Sequence, residues 1–388
     1  MRKVQRGLNI IKGAQNLLLN FNSFAFHPQI NAGISAAGYS TPTPIQLRTI
    51  PSILEGRDVL GLAQTGTGKT AAFVLPILQR LIKGPRGRLR ALIISPTREL
   101  TEQTHVTIRK IGRQTGLRSL TIYGGVSAQP QIKGLRAGVE IAVACPGRLL
   151  DLMGQGVVDL SSIEVLVLDE ADRMFDMGFL PDIRRILAAL PKPRQTLLFS
   201  ATMPAPIRSL ANELLRNPVT VEFGASRPVE TVGHAVYSVE QTRKVELLLA
   251  ILRQSESEQV LIFTRTKHRA KKLAEQLIKA GLPATSLQGN LSQSRRQEAM
   301  DNFRDGRVKI MVATDIAARG IDVSQITHVI NFDMPDTAIA YTHRIGRTGR
   351  MAKLGTALSL ATQDDLPIIR TIERLLGSPL ERWKLAGF

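Results

Sequence analysis

Three clusters in this chain combine residue types and spacings suited to phosphate chemistry. The first, Ala63-Gln64-Thr65-Gly66-Thr67-Gly68-Lys69-Thr70, brings two glycines, a lysine and hydroxyls into one short stretch. The glycines let backbone N–H groups turn inward around phosphate oxygens. The Lys69 ammonium reaches β- and γ-phosphates, and the Thr70 hydroxyl suits Mg2+. The usual pattern opens with glycine, and Ala63 is small enough to satisfy the same turn. The second cluster, Asp169-Glu170-Ala171-Asp172, lies 100 residues beyond Lys69. A carboxylate at that distance from a phosphate loop is the expected second Mg2+ anchor, and Glu170 beside it is placed to polarise an attacking water. The plain alternative is a helix start enriched in acids. The third cluster is His343-Arg344-Ile345-Gly346-Arg347-Thr348-Gly349-Arg350, with arginines every third residue and two glycines that break a simple helix. So dense a set of guanidinium groups fits a γ-phosphate or backbone phosphates; a solvated basic loop is the plain alternative.

Something must hold these clusters in place, and the apolar pattern says what. From residue 58 onward, short apolar runs alternate with longer helix-period segments, the signature of parallel α/β sheets. The runs are Val59–Ala63, Ala91–Ser95, Leu120–Tyr123, Glu140–Ala144, Val165–Leu168 and Thr196–Ser200. A second series follows at Val260–Phe263, Lys309–Ala313, His328–Asn331 and Thr356–Leu360. Nearly every run ends in a polar or glycine-bearing cluster, so each domain is expected to present reactive groups outside the carboxyl ends of its strands. Asn217-Pro218, Gly224 and Arg227-Pro228 punctuate Arg216–Thr231, the best linker candidate. The expected organisation is a basic extension over residues 1–20, one α/β domain over 21–222, a linker over 223–228 and a second α/β domain over 229–388. A transit peptide is the alternative for the extension.

A length of 388 residues is ample for two such cores, and 43% hydrophobic with 21% charged residues excludes wholesale disorder. No apolar run is long enough to span a membrane. The one cysteine, Cys145, excludes an internal disulfide framework and a cysteine-based zinc cluster, and a reducing, cytoplasmic setting is expected. Lys+Arg number 51 against 32 Asp+Glu, a net of +19, which favours a polyanionic partner. The excess is uneven. Residues 1–150 hold 20 basic and 5 acidic side chains, a net of +15, whereas 151–200 hold 5 and 8, a net of −3.

The full motif set, in this order and over residues 21–388, resembles the DEAD-box ATP-dependent RNA helicases of superfamily 2. The resemblance implies two RecA-like domains in tandem, with ATP and Mg2+ as cofactors and RNA as partner. Gly38-Tyr39-Ser40-Thr41-Pro42-Thr43-Pro44-Ile45-Gln46 looks like the family's Q motif, with Phe21 as its isolated upstream aromatic. By that likeness Gln46 reads the adenine edge, Phe21 stacks on the ring, and Tyr39 and Thr41 lie nearby. An amide offers both a donor and an acceptor to adenine. Ser200-Ala201-Thr202 matches the segment coupling hydrolysis to RNA, and Asp322 the ribose contact. Arg347 and Arg350 match γ-phosphate contacts, and His343 a link to the acidic motif.

For RNA, Pro96, Thr97, Arg98, Gly124, Gly125, Gly147 and Arg148 match first-domain backbone contacts. Gln293, Arg296, Thr314 and Asp315 match those of the second domain. Glycines and short hydroxyls admit phosphates and 2′-hydroxyls but reach few base edges, so binding should be sequence-tolerant and salt-sensitive. Cys145 departs from the family's usual threonine before Pro146-Gly147-Arg148, which puts one hydroxyl contact in doubt. Within the family the short second domain looks most like the bacterial RhlE type, whose usual basic tail beyond the core would here be absent or removed after Phe388. The expected activity is RNA-stimulated ATP hydrolysis driving local, non-processive duplex opening by a monomeric core, in ribosome assembly or RNA turnover. Two readings compete with it, an RNA-binding clamp whose ATPase matters little and a DNA-directed helicase.

Overall fold

The computed structural model describes residues 20–63, 66–223, 232–254, 259–318, 325–348, 355–385 and 388. The chain divides into two compact units, Met1–Ala225 and Ser226–Phe388. The first unit is built on strands β1 (Val59–Ala63), β2 (Ala91–Ile94), β3 (Ser119–Ile122), β4 (Ile141–Ala144), β5 (Val165–Leu168), β6 (Gln195–Ser200) and β7 (Val219–Phe223). They form one sheet in the order β3-β4-β2-β5-β6-β1-β7, every pair parallel. The second contains β8 (Val232–Ser238), β9 (Val260–Phe263), β10 (Ala284–Leu287), β11 (Ile310–Ala313), β12 (His328–Asn331), β13 (Gly355–Ala361) and β14 (Glu381–Trp383). Its order, β10-β11-β9-β12-β13-β8-β14, repeats the first when each sheet is counted from its own first strand. These are tandem RecA-like domains.

The apolar runs are continuous because both sheet faces are covered. Along β5, Val165 and Val167 enter one core cluster with Ile93, Phe73 and Phe199, while Leu166 and Leu168 enter another with Leu92, Ile94 and Leu198. The second sheet divides likewise, with Val260 and Ile262 on one side and Leu261 and Phe263 on the other. Gly61 sits mid-strand because a Cβ there would lie 2.5 Å from the Phe199 ring.

The structure adds strands that the apolar pattern does not reveal. Val219–Phe223, which overlaps the expected linker, is β7 and pairs with β1 along its length. Its surface alternates between buried and exposed, so it carries no unbroken apolar run. The remainder of the linker, residues 224–231, lies outside the described residues, as do 1–19. Among the described residues no helix is long and apolar enough to cross a membrane.

Candidate active site

The carboxyl ends of the first sheet gather most of the expected residues. β1 delivers the chain into the phosphate loop, and the helix Lys69–Leu81 leaves it. Gly66 and Gly68 have φ of 86° and 94°, left-handed conformations that side-chain-bearing residues adopt at a cost. At Gly68 a Cβ would also meet Gln46 Nε2 at 2.6 Å and Thr43 Oγ1 at 2.8 Å. Lys69 is buried, and its Nζ donates to Ala63 O at 2.7 Å, holding the ammonium inside the loop's curve. The helix N-terminus adds its partial positive charge to the same place. Thr70 is the second residue of that helix. Gln64 and Thr65 lie outside the described residues.

Gln46 is tied to this loop. Its Nε2 donates to Gly68 O at 3.0 Å, and its Oε1 accepts from Thr43 N–H at 2.9 Å. By count, one N–H and one oxygen lone pair remain for an adenine edge. Phe21 is 4% exposed in the core cluster, with its ring centroid 6.1 Å from that of Tyr39. Tyr39, 37% exposed, is the ring of this pair that reaches the surface, and Thr41 is exposed beside it.

At the end of β5, Asp169 and Glu170 are 2% and 4% exposed. Burial pushes the Asp169 carboxyl well above the usual carboxylate range; Lys69 opposes that shift and Glu170 adds to it. Glu170 has φ of 52°, a left-handed conformation rare outside glycine, and it pairs with Arg173. Among the described residues, no group of three or more His, Cys, Asp or Glu could hold a metal ion. The Asp169 carboxylate and the Thr70 hydroxyl are hard oxygen donors of the kind that suits Mg2+, and they are the residues that would hold it. A cation would also relieve the desolvated charge of Asp169.

Asp172, to which the sequence alone assigns no role, joins this end of the sheet to β6. Its Oδ2 accepts from Ala201 N at 3.2 Å, Thr202 N at 2.8 Å and Thr202 Oγ1 at 2.9 Å. Its own N–H donates to Ser200 Oγ at 3.2 Å, and that hydroxyl donates to Thr202 O at 2.7 Å. The acidic segment and Ser200–Thr202 are thus joined in one hydrogen-bonded unit. The fourth position of an Asp-Glu-Ala-Asp run is visible in the sequence; its partners 29 and 30 residues away are not.

Beyond β2, Pro96 leads to Thr97, whose hydroxyl accepts from Leu100 N–H at 3.3 Å and caps the helix Arg98–Ile111. Arg98 lies over Gly125, where a Cβ would collide with its guanidinium, and Gly125 has φ of 76°. Gly124 and Gly147 have open space where a Cβ would stand. Glu102, not anticipated from sequence, accepts from Tyr123 Oη at 2.6 Å and Thr121 Oγ1 at 3.1 Å. Burial and that carboxylate push the Tyr123 phenol up to about 12, so it stays a donor. The Arg148 side chain is 13% exposed; its Nη1 makes no hydrogen bond among the described residues, and its Nη2 donates to Val126 O at 3.1 Å. It holds the glycine loop from beneath. Cys145 Sγ lies 3.4 Å from Thr101 Oγ1, and burial pushes the thiol up to about 11. Its side chain is turned to the neighbouring helix, so a threonine hydroxyl in the same orientation would bond within the fold.

In the second unit Gln293 opens the helix Gln293–Arg304, and Arg296 N–H donates to Ser292 O at 2.9 Å. Thr314 follows β11. Asp315 opens the short helix Asp315–Ala318, and its side chain is 39% exposed. It holds Arg344 bidentately, at 2.6 and 2.7 Å, and Arg344 also donates to Asn331 Oδ1 and Asp333 O. The first arginine of the third cluster is therefore a buried structural hub, and the helix runs unbroken through Ile345 before Gly346 caps it. His343 is on that helix. Arg347 is buried just beyond it, its Nε donating to His343 O at 3.4 Å. Asp322 and Arg350 lie outside the described residues.

Comparison with known proteins identifies a family. The DEAD/DEAH box helicase family model matches residues 43–210, and the helicase conserved C-terminal domain model matches 243–352. RNA helicase CrhR of Synechocystis is 45% identical over 89% of this chain and 70% of its own length. DEAD-box ATP-dependent RNA helicase CshA of Geobacillus kaustophilus is 40% identical over 95% of this chain and 79% of its own. Those relatives carry the CrhR and CshA names, not the expected RhlE one. A solved structure of S. cerevisiae Dbp5 bound to RNA and ADP BeF3 superposes with a TM-score of 0.83 at 30% identity, covering 94% of this chain and 95% of that one. The chain belongs to the DEAD-box RNA helicase family.

Proposed function

We propose that this RNA helicase and ATPase couples hydrolysis to local, non-processive opening of RNA duplexes through the Asp172 junction. Lys69 and the N–H groups of the phosphate loop take the β- and γ-phosphates; Thr70 and Asp169 would hold Mg2+, which would supply charge neutralisation at the transferred phosphoryl group. Glu170 accepts a proton from the attacking water. Its strained backbone and its pairing with Arg173 hold that carboxylate in one orientation. Phe21, Tyr39, Thr41, Gln46 and Asp322 form the nucleoside side, and Arg347 and Arg350 complete the γ-phosphate contacts when the two units close on ATP and RNA together.

The observation that carries this reading is the run of hydrogen bonds from Asp172 to Ser200 and Thr202. It ties the hydrolytic carboxylates to a segment at the next strand end, so occupancy of one shifts the other. RNA lies along Pro96–Arg98, Gly124, Gly125, Gly147 and Arg148 in the first unit, and Gln293, Arg296, Thr314 and Asp315 in the second. The monomeric chain serves RNA turnover or ribosome assembly.

Steady-state ATP hydrolysis with single-stranded RNA, with matched DNA and without nucleic acid tests the reading. Stimulation by RNA alone, lost in Glu170→Gln, is expected. Turnover that ignores RNA would favour a binding clamp, and equal stimulation by DNA a DNA-directed enzyme.

A further inference from the structure

The excess of positive charge in residues 1–150 is not concentrated at the site rim. In a parallel sheet all amino ends lie on one edge, and strands of four residues set it about 13 Å from the carboxyl edge that carries the site. Lys83, Arg86 and Arg88 precede β2, Arg113 and Arg118 precede β3, and Arg136 precedes β4. All six are exposed. β3, β4 and β2 are adjacent in the sheet, so these loops form one surface.

That surface is stitched together from below. Glu140, fully buried, accepts from Gly87 N–H at 2.6 Å and Arg118 N–H at 2.7 Å. Arg86 Nη2 donates to Thr115 O at 3.1 Å, and Arg118 Nη1 to Ala137 O at 3.0 Å. Glu140 is therefore turned inward onto backbone donors, with Arg118 Nη2 3.9 Å away. Glu164, before the neighbouring β5, is paired with Arg80 and Arg90, and Asp159 lies near Arg88, while the six cations remain exposed and in excess. Basic residues at helix C-termini complement the macrodipole, which accounts for Arg136. It does not account for Arg86, Arg88, Arg113 and Arg118, which stand in loops.

We propose that this amino-terminal edge of the first sheet is a second RNA-binding surface, one that grips backbone phosphates of an RNA whose single-stranded part occupies the site rim. The proposal rests on RNA being the substrate of that rim. Arginine dominates the patch, and its planar fork matches phosphate bidentately and never loses its charge. An anionic membrane is the less suitable partner, because loops 82–90 and 112–118 expose no large apolar side chain to enter a bilayer.

The test uses a variant carrying Lys83→Gln, Arg88→Gln, Arg113→Gln and Arg136→Gln, none of which touches the site rim. Two RNAs are compared, a short single strand that fills the rim and the same strand extended by a long hairpin. Binding is measured directly by anisotropy over a salt series. The account expects the extended RNA to bind the variant about tenfold more weakly at physiological salt. The slope of log affinity against log salt should fall by about 2–3, while short-strand binding and melting temperature stay unchanged. Equal binding of both RNAs to variant and wild type would overturn it, and so would an equal loss for both, which would mean only a general field. Loss of binding to phosphatidylserine-containing phosphatidylcholine vesicles with RNA binding intact would assign the surface to a membrane and also overturn it. In the wild-type chain, chemical labelling of Lys83 should be suppressed by the extended RNA and not by the short one; no protection by either would refute the proposal. Failure of RNA to stimulate wild-type ATPase would refute the functional reading and leave this binding comparison interpretable.

Discussion

The two units share one strand order, and each begins a helix with a lysine after its corresponding strand, yet only one is built to receive phosphate. In the first unit five residues, 64–68, separate β1 from Lys69; in the second five residues, 239–243, separate β8 from Lys244. The first loop contains Gly66 and Gly68 in left-handed conformations, which turn N–H groups inward. The second is Val239-Glu240-Gln241-Thr242-Arg243, without glycine, and tightens into a 3-10 turn over Gln241–Arg243. Lys69 Nζ bonds to its own loop at Ala63 O. Lys244 Nζ instead donates to Phe332 O at 3.1 Å and lies 3.9 Å from the Asp365 carboxylate, which Thr362 holds through its N–H and hydroxyl. The cleft around Lys244, about 1000 Å3, is lined by Arg269 and Asp333 already paired at 3.1 Å. The anion that a phosphate loop leaves to its ligand is here supplied by the protein. Topology and lysine are thus common property; the glycine loop makes the difference.

The comparison breaks most directly at the lysines. Lys69→Ala should reduce ATP turnover by about a hundredfold or more, because transition-state charge loses its nearest cation. Lys244→Met should leave the KM for ATP unchanged and lower unfolding free energy by about 3 kcal/mol, the cost of stranding the Asp365 carboxylate and Phe332 carbonyl; kinetics beside chemical denaturation separates the two. Next, Asp172→Asn should keep ATP binding but reduce RNA stimulation about tenfold, since an amide cannot accept all three bonds from Ala201 and Thr202 and stay satisfied; single-turnover ATPase with and without RNA reads this. Gly68→Ala should destabilise the first unit by about 2 kcal/mol from its φ of 94° and displace Gln46, raising the KM for ATP; no matching penalty exists in the second loop, which has no glycine to replace. The smallest effect concerns pH. The Asp169 carboxyl, raised by burial, keeps its proton in the native state above the unfolded value of about 4, so apo stability should fall as pH rises through that window. Mg2+ with nucleotide displaces the proton, so its affinity should rise over the same window and lose that dependence in Asp169→Asn, as titration calorimetry would show.

Sequence alone reveals the central strands because burial on both faces turns them into unbroken apolar runs. It does not reveal β7, β8, β10 or β14. β7 alternates apolar with polar residues, β10 is the half-polar Ala284–Leu287 and β14 is the exposed Glu381–Trp383, so none of these is an unbroken apolar run. The site divides the same way. Gly66, Gly68, Lys69 and Asp169 are legible because the chemistry needs those types in contiguous stretches. Glu102, Asp172 and Arg344 act through partners 21, 30 and 29 residues distant, and such pairs exist only once the strands are ordered. Arg148 and Asp315 are of types that suit a ligand-facing role, and the fold gives each a partner as well, Val126 O and Arg344, which the sequence does not show.

The most direct measurement is the stoichiometry of Mg·ATP-analogue binding to the wild-type chain, to Lys69→Ala and to Lys244→Met. The account predicts one nucleotide per chain, abolished by Lys69→Ala and untouched by Lys244→Met. A second nucleotide lost with Lys244→Met would show that the second loop receives phosphate without glycine and would contradict it.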